Sequence, residues 1–118
     1  MNTKIRYLYR DANNYKVPNE CVIIGTLTKE QAGRILDCCD MGEYFIPEQV
    51  GLPEERFKSY DPEVDHCWFE MNQNSFSLTE DSATVNVTAE ELVSRFAQCL
   101  DKWDDRKQEI LEMRGMNL

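Results

Sequence analysis

The residues best suited to chemistry surround the only histidine of the chain. Asp61, Glu63 and Asp65 alternate along an extended segment that ends at His66, and carboxylates beside an imidazole are ligand types that a divalent cation accepts. Their spacing matches no loop of defined metal geometry, and residues 11–14 lack the glycine and the twelfth-position Glu of a calcium loop. We therefore predict a solvated acidic loop that binds no metal and no other cofactor.

A small enzyme is the alternative, because several reactive side chains could share one pocket. Asp65 and His66 could act as an acid–base pair, while Tyr15 or Trp68 could hold a substrate. That pocket would require three loops to converge, those at 11–15, 45–52 and 65–68. We lean against catalysis, and no residue is predicted to be catalytic.

The cysteines also favour a structural role. Their number is five, an odd count that includes the adjacent Cys38 and Cys39, which does not suit a disulfide framework and is typical of a reducing compartment. None lies in a sequence context that lowers a thiol pKa, such as a Gly-flanked helix N-terminus. We expect Cys21, Cys67 and Cys99 to fill core space as small hydrophobic side chains.

The segment from Tyr44 to Pro53 fits no regular element. Pro47 and Pro53 remove backbone donors and Gly51 relaxes the chain, so a long strand or helix is excluded. Either the segment folds back to close the core, or it exposes an aromatic patch with an acidic rim, which suits a protein interface. The second interpretation predicts binding residues in and beside this segment: Tyr44, Phe45, Glu48, Gln49, Glu54 and Glu55. The loops at 11–15 and 65–68 add Tyr15, Asp65, His66 and Trp68 to the predicted binding residues.

Charge is distributed very unevenly along the chain. Residues 37–91 hold fourteen Asp and Glu against only Arg56 and Lys58, whereas residues 1–36 carry a net positive charge and the overall net charge is −9. Such a chain repels nucleic-acid backbones and anionic membranes, so we predict no direct contact with either. A protein partner with a basic surface fits better. Imitation of a nucleic-acid backbone, to inhibit a nucleic-acid-binding protein, is a weaker alternative because prolines and apolar residues interrupt the carboxylates.

The length of 118 residues predicts one domain covering 1–118. The longest apolar run, Cys21 to Ile24, is far shorter than the ~20 residues of a membrane span, and the N-terminus leads into a strand pattern rather than a signal peptide. We expect a cytoplasmic protein.

Strand patterns occupy the N-terminal quarter and the middle of the chain. Lys4–Arg10 alternates apolar and polar residues, and Glu20–Gly25 has the composition of a buried strand, so the two predict a hairpin with a long loop over Asp11–Pro18. His66–Met71 predicts a third strand. Residues 72–87 could be two short strands or a mobile connector.

Two helices begin with the same local signal. Thr28 with Gln31, and Thr88 with Glu91, have the spacing of a capping box, and a hydrophobic staple flanks each. We predict helices over Thr28–Asp40 and from Ala89 to about Arg114, the second long enough to offer its end to a second copy and form a homodimer. The element order predicts an α+β fold with a small, mainly antiparallel sheet of three to five strands and two helices packed on one face.

Three strings resemble a group of small bacterial proteins to which no activity is assigned. They are YRDANNYK at 9–16, FIPEQVGLP at 45–53 and DHCW at 65–68. The resemblance covers roughly the first 70 residues and leaves the second helix unmatched. It implies a bacterial or phage source.

Overall fold

A computed structural model of the chain describes residues 1–57, 61 and 63–105 and confirms the predicted α+β fold. The strands are β1 (Asn2–Arg10), β2 (Lys16–Ile23), β3 (Tyr44–Phe45), β4 (Phe69–Glu70) and β5 (Phe76–Thr79). The helices are α1 (Lys29–Cys38) and α2 (Ala89–Cys99), with single 3-10 turns at Pro47–Val50 and Gln73–Ser75. Neither helix is long and apolar enough to cross a membrane.

Strand β1 is the centre of the sheet. It pairs antiparallel with β2 from Thr3 to Arg10, and its other edge is divided between β4, opposite Leu8 and Tyr9, and β5, opposite the first half of the strand. Strand β3 extends the sheet beyond β4. One strand therefore brings four chain segments together, and everything near its C-terminal end is assembled by long-range pairing.

The alternation along β1 separates a core face from an open face. Ile5, Tyr7 and Tyr9 are buried in one apolar cluster that also contains side chains of both helices, so the two helices cover the same side of the sheet, as predicted. The even-numbered residues face the other side. There the basic side chains pair with acidic ones at 3.0–3.1 Å, in the pairs Lys4–Asp81, Arg6–Glu20 and Arg10–Glu70.

Strand β2 begins earlier than the pattern predicts. The predicted loop over Asp11–Pro18 is too long, because Lys16 already pairs with Arg10 and Pro18 lies opposite Leu8. Proline is tolerated there since β2 is an edge strand, where a missing backbone donor breaks no inter-strand hydrogen bond.

The buried amide of Asn19 donates to the Glu55 carbonyl at 3.0 Å and accepts from the Glu55 N–H at 2.7 Å. The Asn19 amide thus forms with the Glu55 backbone the kind of paired hydrogen bonds that a neighbouring strand would otherwise provide.

Both helix starts are confirmed. Thr28 and Gln31 form the complete capping box, and the Thr88 hydroxyl accepts from the Glu91 N–H at 3.1 Å. The Glu91 carboxylate lies instead 3.6 Å from Arg95, one helical turn on. These contacts are local in sequence, which is why the sequence predicts them.

The predicted length of the second helix is wrong. Helix α2 ends at Cys99, because Leu100 has an extended ψ of 121° and Asp101 a positive φ of 59°. The chain then folds back, so that the Trp103 indole donates to the Cys38 carbonyl at 2.9 Å and its ring contacts Phe96. The predicted helix beyond residue 105, with the end expected to bind a second copy, lies outside the described residues.

The ambiguous stretch 72–87 resolves into one strand and one irregular segment. Strand β5 occupies Phe76–Thr79. The second candidate strand is not formed; instead the N–H groups of Thr84 and Val85 both donate to the Val22 carbonyl, and Ile24 bridges to Thr88. The third predicted strand shortens to Phe69–Glu70, although Cys67 and Met71 are buried as its alternation predicts.

Candidate functional site

A cleft of about 370 Å³ opens at the C-terminal end of β1. It lies between the hairpin loop, the turn that precedes β3, and the segment leading into β4. Its wall contains three of the predicted binding residues, Tyr44, His66 and Trp68. The other lining residues were not among the predicted site residues, and they are Arg10, Asp11, Asp40, Met41 and Glu70.

The imidazole of His66 is held by the protein backbone on both sides. Its Nδ1 accepts a hydrogen bond from the Trp68 N–H at 3.0 Å, and its Nε2 lies 2.7 Å from the Arg10 carbonyl. An acceptor nitrogen carries no proton and a nitrogen facing a carbonyl must carry one, so these contacts select the neutral Nε2–H tautomer. The ring joins the end of β1 to the start of β4 and has no nitrogen left for a substrate.

The carboxylate of Asp65 is also engaged. Its Oδ1 accepts a short hydrogen bond from the Tyr9 hydroxyl, and its Oδ2 accepts from the Asp61 N–H at 2.7 Å. Burial, and then this contact with Asp65, raise the pKa of Tyr9 above its ordinary value. The pair predicted for acid–base chemistry therefore sits side by side, but each member binds groups of its own chain.

The acidic loop folds onto its own backbone. The Asp61 carboxylate accepts from the Glu63 N–H at 3.0 Å, and the Asp61 carbonyl accepts from the Asp65 N–H at 2.7 Å. Within residues 1–57, 61 and 63–105, no group of three or more His, Cys, Asp and Glu is arranged to hold a metal ion.

Among the described residues that line the cleft, Arg10 is the one cation, and its guanidinium is already paired. Its Nε and Nη2 reach the two carboxylate oxygens of Glu70 at 3.0 and 3.4 Å, and its Nη1 donates a short hydrogen bond to Asn14. The contact with Glu70 raises the pKa of Arg10. Asp11 and Asp40 remain as additional carboxylates, and neither forms an ion pair in the described part of the chain. Among the described lining residues, the carboxylates of Asp11, Asp40 and Glu70 therefore outnumber the single cation by two.

A strained turn forms the rim. Asp40 and Tyr44 exchange backbone hydrogen bonds at 2.7 and 2.9 Å, which forces Met41 and Gly42 to positive φ values of 54° and 71°. A left-handed conformation costs a non-glycine residue about 1–2 kcal/mol. The Met41 side chain is 86% exposed, so burial of that side chain gives no compensation. The turn signal in the sequence is the Asp-Met-Gly-Glu string after α1.

A second recess of about 630 Å³ runs over the open face of the sheet. It shares Arg10 and Glu70 with the cleft, so that this ion pair lies at the border between the two. Its lining residues include the apolar Leu8 and Pro18, and Asn72 and Asn74 from the loop after β4. The two recesses adjoin and together form one concave surface.

The remaining predicted binding residues lie elsewhere, and Phe45 requires a correction. Phe45 is fully buried, as are Ile46 and Val50, because Pro47 starts a 3-10 turn that brings the segment down onto α2. The segment therefore closes the core, and residues 45–52 contribute nothing to the cleft wall. The enzyme alternative requires three loops to converge on one pocket. Only the loops at 11–15 and 65–68 contribute described residues to the cleft wall.

The polar residues of that segment also bind the protein itself. Gln49 donates to the Asp104 carbonyl at 2.9 Å and accepts from the Asp104 N–H at 3.2 Å, which fixes the chain after α2. Glu54 is nearly buried and lies 3.6 Å from Arg56. Glu48 and Glu55 are exposed.

Tyr15 stands beside the cleft without lining it. It is 66% exposed, and its ring lies 6.5 Å from that of Phe57, itself 40% exposed. Its backbone is tied to the cleft, because the Asp11 N–H donates to its carbonyl at 3.0 Å. Among the described residues, the exposed aromatic side chains are therefore Tyr15 and Phe57, and Phe45 is not one of them.

The five cysteines are free thiols. Burial raises the pKa of Cys21 to about 11 and that of Cys39 to about 12. Cys67 is buried, with its Sγ 3.6 Å from the Asp105 carbonyl. Thiols in this state are poor nucleophiles at neutral pH.

Comparisons with protein-family models, with curated proteins and with solved structures found no match to this chain.

Proposed function

We propose that this protein is a non-catalytic interaction protein that binds a basic segment of a protein partner on its concave surface. The observation that carries the proposal is the pair of adjoining recesses at the Arg10–Glu70 border, of which the smaller, the cleft, has an excess of carboxylates among its described lining residues. Concave surfaces of one charge sign focus the electrostatic potential and attract the opposite charge.

The shape and polarity of the larger recess suit an extended peptide. Asn72 and Asn74 line it; the Asn72 Oδ1 accepts from the Asn74 N–H at 2.8 Å, and an asparagine amide can also donate to a peptide backbone. Leu8 and Pro18 supply an apolar floor. The exposed Glu48 and Glu55 lie outside both recesses and act at longer range, by steering the encounter with a basic partner.

The hydrogen bonds of the predicted acid–base pair support binding over catalysis. A general base needs a free acceptor within reach of the substrate, whereas His66 accepts from Trp68 and Asp65 accepts from Tyr9 and Asp61. The alternative of nucleic-acid mimicry is less favoured, because Glu70 and Asp81 of the acidic block pair with basic residues of β1.

The test is peptide binding as a function of charge and salt. We expect labelled Lys- and Arg-rich peptides to bind at low ionic strength, acidic peptides of equal length not to bind, and high salt to slow association more than it speeds dissociation. Asp40→Asn should weaken binding, while Glu90→Gln, at an exposed acid in the first turn of α2, serves as the matched control. Equal binding of acidic peptides, or indifference to ionic strength, would overturn the proposal.

A further inference from the structure

We propose that the 370 Å³ cleft is the receptor for one lysine or arginine side chain of the partner, with its charge beside Asp40 and Asp11 and its stem between Tyr44 and Trp68. This inference rests on the proposed function and names the group that the cleft recognises. A volume near the lower end of the 300–1,000 Å³ typical of ligand pockets suits a single side chain better than a larger ligand.

The two carboxylates differ in a way that suits a cation. Asp40 is exposed at the rim, where it attracts a cation from solvent, whereas Asp11 is only 8% exposed. The Asp11 Oδ1 is oriented by the N–H groups of Asn13 and Tyr15, both at 2.9 Å. Charges at partly buried positions interact more strongly than exposed ones because water screens them less.

The positive groups of the wall do not compete with the ligand. The Arg10 guanidinium donates to both carboxylate oxygens of Glu70 and to Asn14, so its charge is already paired. His66 is fixed as the neutral tautomer by its two backbone contacts, so its ring adds no positive charge. The same hydrogen bonds that remove His66 from acid–base chemistry keep the cleft negative.

Two aromatic side chains complete a site for a cation. Tyr44 and Trp68 are both half-buried in the wall, and a cation over such a ring is attracted to its negative face. The Trp68 indole lies 3.4 Å from the Asp105 carboxylate and its ring contacts Trp103, which limits its rotation. The exposed Met41 at the rim supplies a flexible thioether that can pack along an alkyl stem.

The test uses short probes whose only variable is the side chain. Gly-Gly-Lys-Gly-Gly is titrated beside the same peptide with arginine and with the neutral isostere norleucine, and the indole N–H resonances are followed by NMR. The chain contains two tryptophans, and the Trp103 indole, bound to the Cys38 carbonyl, should shift less than the Trp68 indole although the two rings contact each other. We expect the Trp68 signal to shift with lysine and arginine, with little effect of norleucine.

Three variants refine the test. Asp40→Asn and Tyr44→Leu should each weaken binding about two- to fivefold, the factor expected from loss of one exposed charge or cation–π contact. Tyr15→Leu removes an exposed ring outside the cleft and should leave affinity unchanged. Unfolding midpoints establish that each variant is folded, and Asp40→Asn, an exposed isosteric change, gives a result even if Tyr44→Leu does not fold.

The outcomes separate this inference from the proposed function. Equal response to lysine and norleucine, or unchanged affinity of Asp40→Asn for the lysine probe, overturns the inference while binding of long basic peptides still supports the function. Conversely, a lysine-specific shift at Trp68 together with equal binding of long basic and acidic peptides supports the inference and overturns the function.

Discussion

Replacement of His66 tests whether the imidazole is a structural link or a chemical group. His66→Ala removes the acceptor for the Trp68 N–H and the donor to the Arg10 carbonyl, two contacts of 3.0 and 2.7 Å. Asn at this position can still accept from Trp68 through a short Asx-type turn, and Gln can still reach the Arg10 carbonyl. Each of these two variants should therefore retain one of the two contacts.

The magnitude follows from the burial of the groups left unpaired. His66 is half-buried, and leaving a buried backbone donor or acceptor unsatisfied costs about 1–3 kcal/mol. We expect His66→Ala to lower the free energy of unfolding by about 2–4 kcal/mol, and His66→Asn and His66→Gln by about half as much each. These are large fractions of the 5–15 kcal/mol that is typical of a domain.

Urea denaturation measures the three free energies, and nitrogen NMR of the imidazole measures the tautomer directly. The structure requires protonation at Nε2 alone. A protein with the Nδ1–H tautomer at neutral pH, or a His66→Ala variant as stable as the parent, would refute the assignment of His66 as a structural link. Asn and Gln variants that each lose as much as Ala would show that the two hydrogen bonds are not separable.

Two further predictions concern glycine and cysteine positions. Gly51→Ala should destabilise by about 1–2 kcal/mol, because φ is +80° and the new Cβ would lie 2.2 Å from the Arg95 Nη1, whereas Gly33→Ala, in helix α1 with nothing within 4 Å, should stabilise by about 0.5–1 kcal/mol. Equal effects in urea denaturation would contradict the left-handed assignment of Gly51. Because burial raises the pKa of Cys21 to about 11, roughly one such thiol in a thousand is ionised at pH 8, and the pKa of about 12 for Cys39 lowers that fraction further. Iodoacetamide should therefore label the more exposed Cys38 first, and labelling of Cys21 and Cys39 should rise only as the pH approaches these pKa values. Mass spectrometry after brief labelling at pH 8 measures the order. Labelling of Cys21 or Cys39 before Cys38 would contradict the prediction.

The elements that the sequence predicts well are those whose causes are local. The hydroxyl of Thr28 and the N–H of Gln31 are three residues apart, so the start of α1 is encoded in four consecutive residues. The alternation in β1 is similarly contained in one segment. The end of α2 is different, because the apolar spacing continues through Trp103 and the chain leaves the helix where that indole can reach the Cys38 carbonyl. No local pattern indicates that contact.

The candidate site shows the same division. Tyr44, His66 and Trp68 are recognisable by residue type, but the sequence places Tyr44 with its neighbours in the chain, including the buried Phe45. In the structure Tyr44 is instead placed by the register of the sheet, in which Glu70 lies opposite both Leu8 and Tyr44. Adjacent residues of a strand point to opposite faces, so Tyr44 reaches the cleft while Phe45 enters the core.

The strand register also determines which acidic side chains of the chain are paired with basic ones. The basic side chains on the open face of β1 pair with Glu20, Glu70 and Asp81, so part of the acidic block is neutralised across the sheet. Asp11 and Asp40 lie just beyond the end of that ladder, where β1 has no further basic residue to offer. Negative charge therefore persists at the cleft because the strand ends there, and a cation from a partner would continue the ladder that Lys4, Arg6 and Arg10 begin.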